Sequence, residues 1–188
     1  MNVSPDSPAR DDVLLLLDEH LADMFATSPA ESVHALDHTA LLAPTITFWT
    51  ARDDDGVLLG CGALKELDGG SAGPDGTSAE IKSMRTAGHA RGCGVASALL
   101  GAVLAEATRR GYGRVSLETG AEDYFAAARR LYARHGFVEC GPFGSYVLDP
   151  NSVFMTLELP AAKLPAAELP AAELPAAEPA TADAPAGS

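Results

Sequence analysis

Basic residues are scarce in this chain: 13 Lys and Arg stand against 26 Asp and Glu, a formal net charge of −13 over 188 residues. A field of that sign repels polyanions and leaves no broad basic footprint, so a nucleic-acid partner is not expected. Cysteine is equally sparse. Cys61, Cys93 and Cys140 are odd in number and far apart, without the C-x-x-C spacing of a zinc site or a redox pair. They read as reduced thiols, which makes the cytoplasm the expected compartment. Long apolar runs are missing as well. The run at residues 13–17 is too short for a signal core or a membrane span, so neither a targeting segment nor membrane association is expected.

What the chain does have is enough apolar material for a core: 47% of its residues are hydrophobic, and 188 residues suit a single globular unit. That unit is expected to span residues 1–159. Beyond it the sequence turns abruptly into L-P-A-A-K and three copies of L-P-A-A-E. Pro160, Pro165, Pro170 and Pro175 each remove an amide and clash with a preceding turn, so the Ala and Glu between them cannot realise their helical preference. With so little to bury, residues 160–188 are expected to form a disordered tail.

Within residues 1–159 the hydrophobic period alternates between helix and strand. Val13, Leu14, Leu17, Leu21 and Met24 mark one face of a helix over 11–24, and a second helix is expected over 32–42, stopped before Pro44. Residues 46–52 and 57–67 are β-rich and separated by Asp53-Asp54-Asp55-Gly56, a hairpin signal. A Gly/Ser/Pro-rich loop succeeds them over 68–78, then a strand over 79–86. The segment Arg91-Gly92-Cys93-Gly94-Val95-Ala96 next opens a helix that runs to about Arg110, with Gly111 as its stop. Strands over 114–118 and 153–158 are expected, with a helix over 124–134 and a short strand from Gly136-Phe137 to Cys140 between them.

A strand, a glycine turn and a helix in succession suit an anion. Small residues let a diphosphate approach the backbone, while unpaired amides and the positive dipole end face its charge. The same residues also suit an ordinary tight strand-to-helix connection. Residues further along the chain favour the ligand loop. Arg91-Gly92-Cys93-Gly94-Val95-Ala96 matches throughout the signature [Q/R]-x-x-G-x-[G/A], and Ala128, Leu131-Tyr132 and Gly136-Phe137 supply a second spaced signature. By these two motifs the region 80–137 resembles the acetyl-CoA core of the GNAT N-acetyltransferase superfamily.

The resemblance implies a fold, a co-substrate and roles for particular residues. The fold is α/β in the broad sense (α+β, a mixed sheet): a mostly antiparallel central sheet with helices on both faces and a cleft where two parallel strands splay. The co-substrate is acetyl-CoA, and the acceptor is a primary amine of a small molecule or peptide, attacked directly and without a metal. Ser83, Met84 and Arg85 match the strand that lines the pantetheine arm. Backbone amides of Gly92, Cys93, Gly94, Val95, Ala96 and Ser97 would hold the pyrophosphate, with Arg91 adding positive charge. Cys93 is a small loop residue or a reactive thiol near a helix start. A homodimer is an assembly that similar proteins adopt.

The chemistry needs a neutral amine, a donor to the tetrahedral oxyanion and a proton for the departing thiolate. Tyr132 matches the tyrosine that protonates the thiolate; its other reading is a core aromatic. Glu80 is a candidate base, or else a solvated carboxylate at a loop edge, and Glu118 competes with it from the end of the next strand. The asparagine often found seven residues before the tyrosine is Phe125 here, so Phe125 packs on the pantetheine or joins the core. His34, Asp37 and His38 fall where such folds shape the acceptor site, and Phe143 and Tyr146 either line that site or cover the sheet edge. Two other functions stand beside the enzyme: a noncatalytic acyl-CoA-binding regulator and, lacking the third glycine of the usual fingerprint, a dinucleotide-binding module.

Overall fold

The computed structural model describes residues 1–32, 34, 36–67 and 77–160. Most of the expected 68–78 loop and the Pro/Ala/Glu tail beyond residue 160 lie outside the described residues. The elements are β1 (Asn2–Pro5), α1 (Asp11–Thr27), β2 (Ile46–Arg52), β3 (Leu58–Leu67), β4 (Ser78–Thr86), α2 (Val95–Arg109), β5 (Arg114–Gly120), α3 (Ala126–Arg134), β6 (Val138–Cys140) and β7 (Ser152–Glu158). Among the described residues, the strands form one seven-stranded sheet in the order β1-β2-β3-β4-β5-β7-β6. Only β4 and β5 run parallel; every other neighbouring pair is antiparallel.

Alternation along the strands divides the core into two layers. Phe48, Cys61 and Ala63 point to one side, where Val13, Leu16 and Leu17 of α1 cover them. Trp49, Ala51 and Leu64 point to the other, where α2 buries Val95, Leu99, Leu100, Val103 and Ala107 and α3 adds Leu131 and Tyr132. Helices therefore lie on both faces, as the resemblance implied. Full burial of each large aliphatic side chain contributes roughly 1.5–3 kcal/mol relative to exposure, which anchors both layers. Asp11 and Asp12 in the first turn of α1 oppose its dipole, and Pro29 comes just after its end. Gly111, at φ 76°, ends α2 with amide bonds from Gly111 to Thr108 O and from Tyr112 to Ala107 O.

One expectation needs correction, and one strand was not foreseen. Residues 32–42 do not form one α-helix: short 3-10 turns occupy Ala30–Ser32 and Ala40–Leu42, with residues 34, 36 and 37 in neither helix nor strand. The Asp37 carboxylate accepts the Ala40 amide at 2.7 Å, a local side-chain bond that competes with helical pairing. Residues 2–5, to which the sequence pattern assigns no element, form the edge strand β1, paired from Asn2↔Arg52 to Pro5↔Trp49. Proline is tolerated there because an edge strand has an amide row that needs no partner.

One irregularity shapes the functional region. Cys61 pairs with Arg85 and Ala63 with Lys82, so Gly62 alone opposes both Ser83 and Met84, and Ser83 has φ 52°. This is a β-bulge, which bends its strand and increases local twist. The Met84 side chain packs directly over Gly62: a β-carbon there would lie 2.5 Å from Met84 Sδ, so the thioether would have to shift.

Candidate active site

The β4–β5 ladder runs from Ser78↔Arg114 to Ile81↔Leu117 and stops just before the bulge. Past that point the strands part, and a cleft of about 620 Å³ opens between them. One end lies at the turn before α2, with Arg91, Gly92 and Gly94; the other reaches Glu118 and His34.

At the first end, Gly92 and Gly94 adopt φ 79° and 80°, and β-carbons added there would meet nothing within 4 Å. Glycine is needed for backbone conformation, not for lack of space. The first helical bond of α2 joins the Ala98 amide to Gly94 O at 3.0 Å, and no side chain caps the helix. The amides of Val95, Ala96 and Ser97 consequently have no partner within α2. Arg91 and Arg134 line the same region. These donors fit a diphosphate. Ser97 Oγ lies 3.1 Å from His135 Nε2, whose Nδ1 lies 2.9 Å from Leu131 O. Since a carbonyl only accepts, Nδ1 carries the hydrogen in the neutral ring, and Ser97 donates to Nε2. Cys93 is exposed in the turn and does not line the cleft.

Along the middle, Ser83, Met84 and Arg85 form one wall, with Phe125 opposite. Arg85 pairs with Asp23 Oδ2 of α1 at 2.6 Å and donates to the Tyr124 hydroxyl at 3.2 Å. Tyr124 donates in turn to Asp23 at 2.7 Å, so α1, β4 and the segment before α3 are joined across the cleft. Tyr132 is 6% exposed and lines the cleft, with its ring edge-on to Phe137 at 5.7 Å. Burial, and after it the charge of Glu118, push its phenol well above the ordinary tyrosine range. It stays protonated, as a proton donor must.

The second end holds the carboxylates. Glu118 faces the cleft, and its Oε1 accepts from Ser152 Oγ at 2.7 Å. Burial raises its pKa above the usual carboxylate range; Ser152, Lys82 and His34 oppose that shift, while Glu80 adds to it. Glu80 is 2% exposed and does not line the cleft, so it is no solvated loop-edge carboxylate. It accepts from Tyr146 Oη at 2.5 Å and from Lys82 Nζ at 3.2 Å. Lys82 also donates to Tyr146 Oη at 2.7 Å and to His34 O at 3.0 Å, which commits all three ammonium hydrogens.

Of the expected acceptor contacts, only His34 lines the cleft. Phe143 and Tyr146 stand behind it, with ring centroids 5.1 Å apart, and Tyr146 also packs edge-on against His34. Asp37 caps its own turn, and His38 Nε2 lies 3.2 Å from Asp18 Oδ1, both away from the cleft. Sequence reasoning missed His20 and Lys82, which do line it. His20 shares the helical face of Leu17 and Met24, and a polar residue on an apolar stripe is the signal that was there to read. Burial, then the charge of Arg85, lower its pKa to about 4, so it is neutral near pH 7. Lys82 sits two residues from Glu80 on the same strand face, the spacing of a potential pair.

A mixed sheet whose two parallel strands part beside an uncapped helix start frames this cleft. The chain belongs to the acetyltransferase (GNAT) family, whose profile matches residues 14–137. It is 47% identical over 159 residues to the uncharacterized N-acetyltransferase YsnE of Bacillus subtilis, covering 85% of this chain and 100% of that protein. It is 44% identical over 147 residues to the uncharacterized N-acetyltransferase YedL of Escherichia coli, covering 78% and 87%. Its fold resembles an acyl-CoA N-acyltransferase of Klebsiella pneumoniae, with TM-score 0.65 and 26% identity over 84% of this chain and 97% of that one. Among the described residues, no helix is long and apolar enough to cross a membrane.

Proposed function

We propose that the protein transfers an acetyl group from acetyl-CoA to the primary amine of a small molecule or peptide, by direct attack. The observation that carries this reading is that a half-buried carboxylate with a raised pKa and a buried, protonated phenol line the same cleft, which begins at an uncapped helix N-terminus. Membership of a family of acetyltransferases supports it.

Acetyl-CoA, when bound, supplies an activated thioester. The amides of residues 95–97, with Arg91 and Arg134, hold the diphosphate, and the part of β4 that has left β5 presents its free edge to the pantetheine. Glu118 is the base. Its raised pKa keeps it a competent acceptor, and its second oxygen is open to an ammonium. Glu80 is bound into the Lys82–Tyr146 network and serves to hold that network together. Tyr132 gives its proton to the departing sulfur.

Protons and bonds balance across the transfer. The ammonium loses one proton to Glu118, the nitrogen–carbonyl carbon bond forms, and the carbon–sulfur bond breaks. The second proton lost by nitrogen balances the one that Tyr132 delivers to sulfur, leaving an amide, a thiol and one proton released to solvent.

Mass spectrometry of an amine panel incubated with acetyl-CoA and the protein tests the reading. Acetylated amine is expected with the wild type and at strongly reduced levels with Glu118→Gln. Acetyl-CoA binding without acetylated product from any amine would favour the noncatalytic regulator instead.

A further inference from the structure

Charges around the second end of the cleft are matched pair by pair, with one carboxylate left over. Lys82 is paired with Glu80 at 3.2 Å, with side chains 9% and 3% exposed. Arg85 is paired with Asp23 at 2.6 Å; its other terminal nitrogen donates to Tyr124, and its Nε is buried without a hydrogen-bond partner among the described residues. Glu118 has only the Ser152 hydroxyl as its hydrogen-bond partner among the described residues, and it faces the cleft.

Glu118 is faced from several elements. On β4 the facing groups are Lys82 and Glu80, which offset each other; from the loop comes His34, from β7 the neutral Ser152. Tyr132 of α3 and Tyr146 also feel its charge, and burial keeps both phenols protonated. Arg91 and Arg134 belong to the opposite, phosphate-binding end. The cleft is therefore polarised along its length, with cations where the donor's phosphates lie and an unmatched carboxylate where the acceptor enters.

Resting on the transferase reading, we propose that the acceptor is an amine that carries no carboxylate beside its amino group, and that the site rejects α-amino acids. The ammonium supplies the counter-charge that Glu118 lacks. The carboxylate of an α-amino acid enters the same small space, where all three Lys82 hydrogens are engaged and the charge of Arg85 is already matched by Asp23. It also meets Glu118 as a like charge. An unpaired anion placed in a partly desolvated site is strongly disfavoured.

Matched probes isolate that carboxylate: phenethylamine, phenylalanine methyl ester and phenylalanine, with ethanolamine, serine methyl ester and serine as a second set. Binding is measured by calorimetry on protein saturated with unreactive desulfo-CoA, at a pH where the amino group of every probe is protonated, and acetylation is measured separately with acetyl-CoA. Amine and ester are expected to bind at least about tenfold more tightly than the free acid, the equivalent of roughly 1.4 kcal/mol. Glu118→Gln is expected to shrink that preference, because it removes the like charge. Free acids that bind as well as their esters overturn the proposal, and so does the absence of binding by every probe. Acetylation of the free acids at the rate of the esters overturns it while leaving the transferase reading intact. The expected binding order without acetylation of any probe supports it and contradicts the transferase reading.

Discussion

Replacing Ser152 by alanine removes one hydroxyl and tests how the base is held. Ser152 opens β7 opposite Gly120, and its amide bonds to Asp149 O at 3.1 Å, so the backbone is fixed independently of the side chain. Its Oγ donates to Glu118 Oε1 at 2.7 Å and stabilises the ionised carboxylate. Hydrogen bonds to charged groups contribute about 1.5–3 kcal/mol, and one pKa unit corresponds to about 1.4 kcal/mol. Ser152 is half-buried, so water will replace part of the loss. The acid limb of kcat/KM is therefore expected to move up by about one pH unit, with the plateau at higher pH little changed.

Ser152→Thr keeps the hydroxyl and should restore the limb. The same shift sets the sign for folding. Because burial raises the folded-state pKa of Glu118, its stabilising contribution is complete below the unfolded pKa and is lost as pH rises through the folded one. Ser152→Ala should consequently lose more stability near neutral pH than in acid. An acid limb that stays in place while the whole profile falls uniformly would refute the reasoning, since Ser152 would then act on something other than the Glu118 proton.

Tyr132→Phe should lower kcat by at least about 100-fold in steady-state assays while leaving acetyl-CoA affinity nearly unchanged; equal turnover removes Tyr132 from the mechanism. Glu118→Gln should raise Tm at neutral pH while activity is lost, and the gain should vanish in acid; a lower Tm would contradict the burial argument. Gly60→Ala places a β-carbon 2.6 Å from Arg85 O and 2.9 Å from Val95 Cγ1, and should cost about 1–3 kcal/mol in urea unfolding. Tyr146→Phe deprives both Lys82 and Glu80 of a partner and should cost about 1–3 kcal/mol by the same measurement, with acetyl-CoA affinity retained.

The glycine-turn end of the cleft was legible in the sequence because its parts are local. Arg91 to Ser97 carry the turn, the helix start and the charge in seven consecutive positions, and the spacing from Ala128 to Phe137 places Tyr132 on the same wall. The carboxylate end was not, because it depends on pairings across long separations. Glu80 reads as a free carboxylate until Tyr146, 66 positions later, is seen to donate to it. Asp23 and Tyr124 meet Arg85 from elements that sequence cannot bring together.

The strands show the same division. Residues 46–67 announce themselves by alternation and an Asp-Gly turn, whereas β1 has no pattern of its own and exists because β2 offers it an edge. The 32–42 segment went the other way. Its expected single helix is replaced by two short turns, the second bonded at its start to the Asp37 carboxylate. The bulge at Ser83 left only the neighbouring glycines Gly60 and Gly62 as a trace, and neither says which strand bends.

Calorimetric titration with acetyl-CoA, with NADH as the control, tests the central claim most directly. The account predicts saturable binding of acetyl-CoA, no binding of NADH, and release of free thiol once a primary amine is added. NADH binding in place of acetyl-CoA, or no acetyl-CoA binding at all, would contradict it.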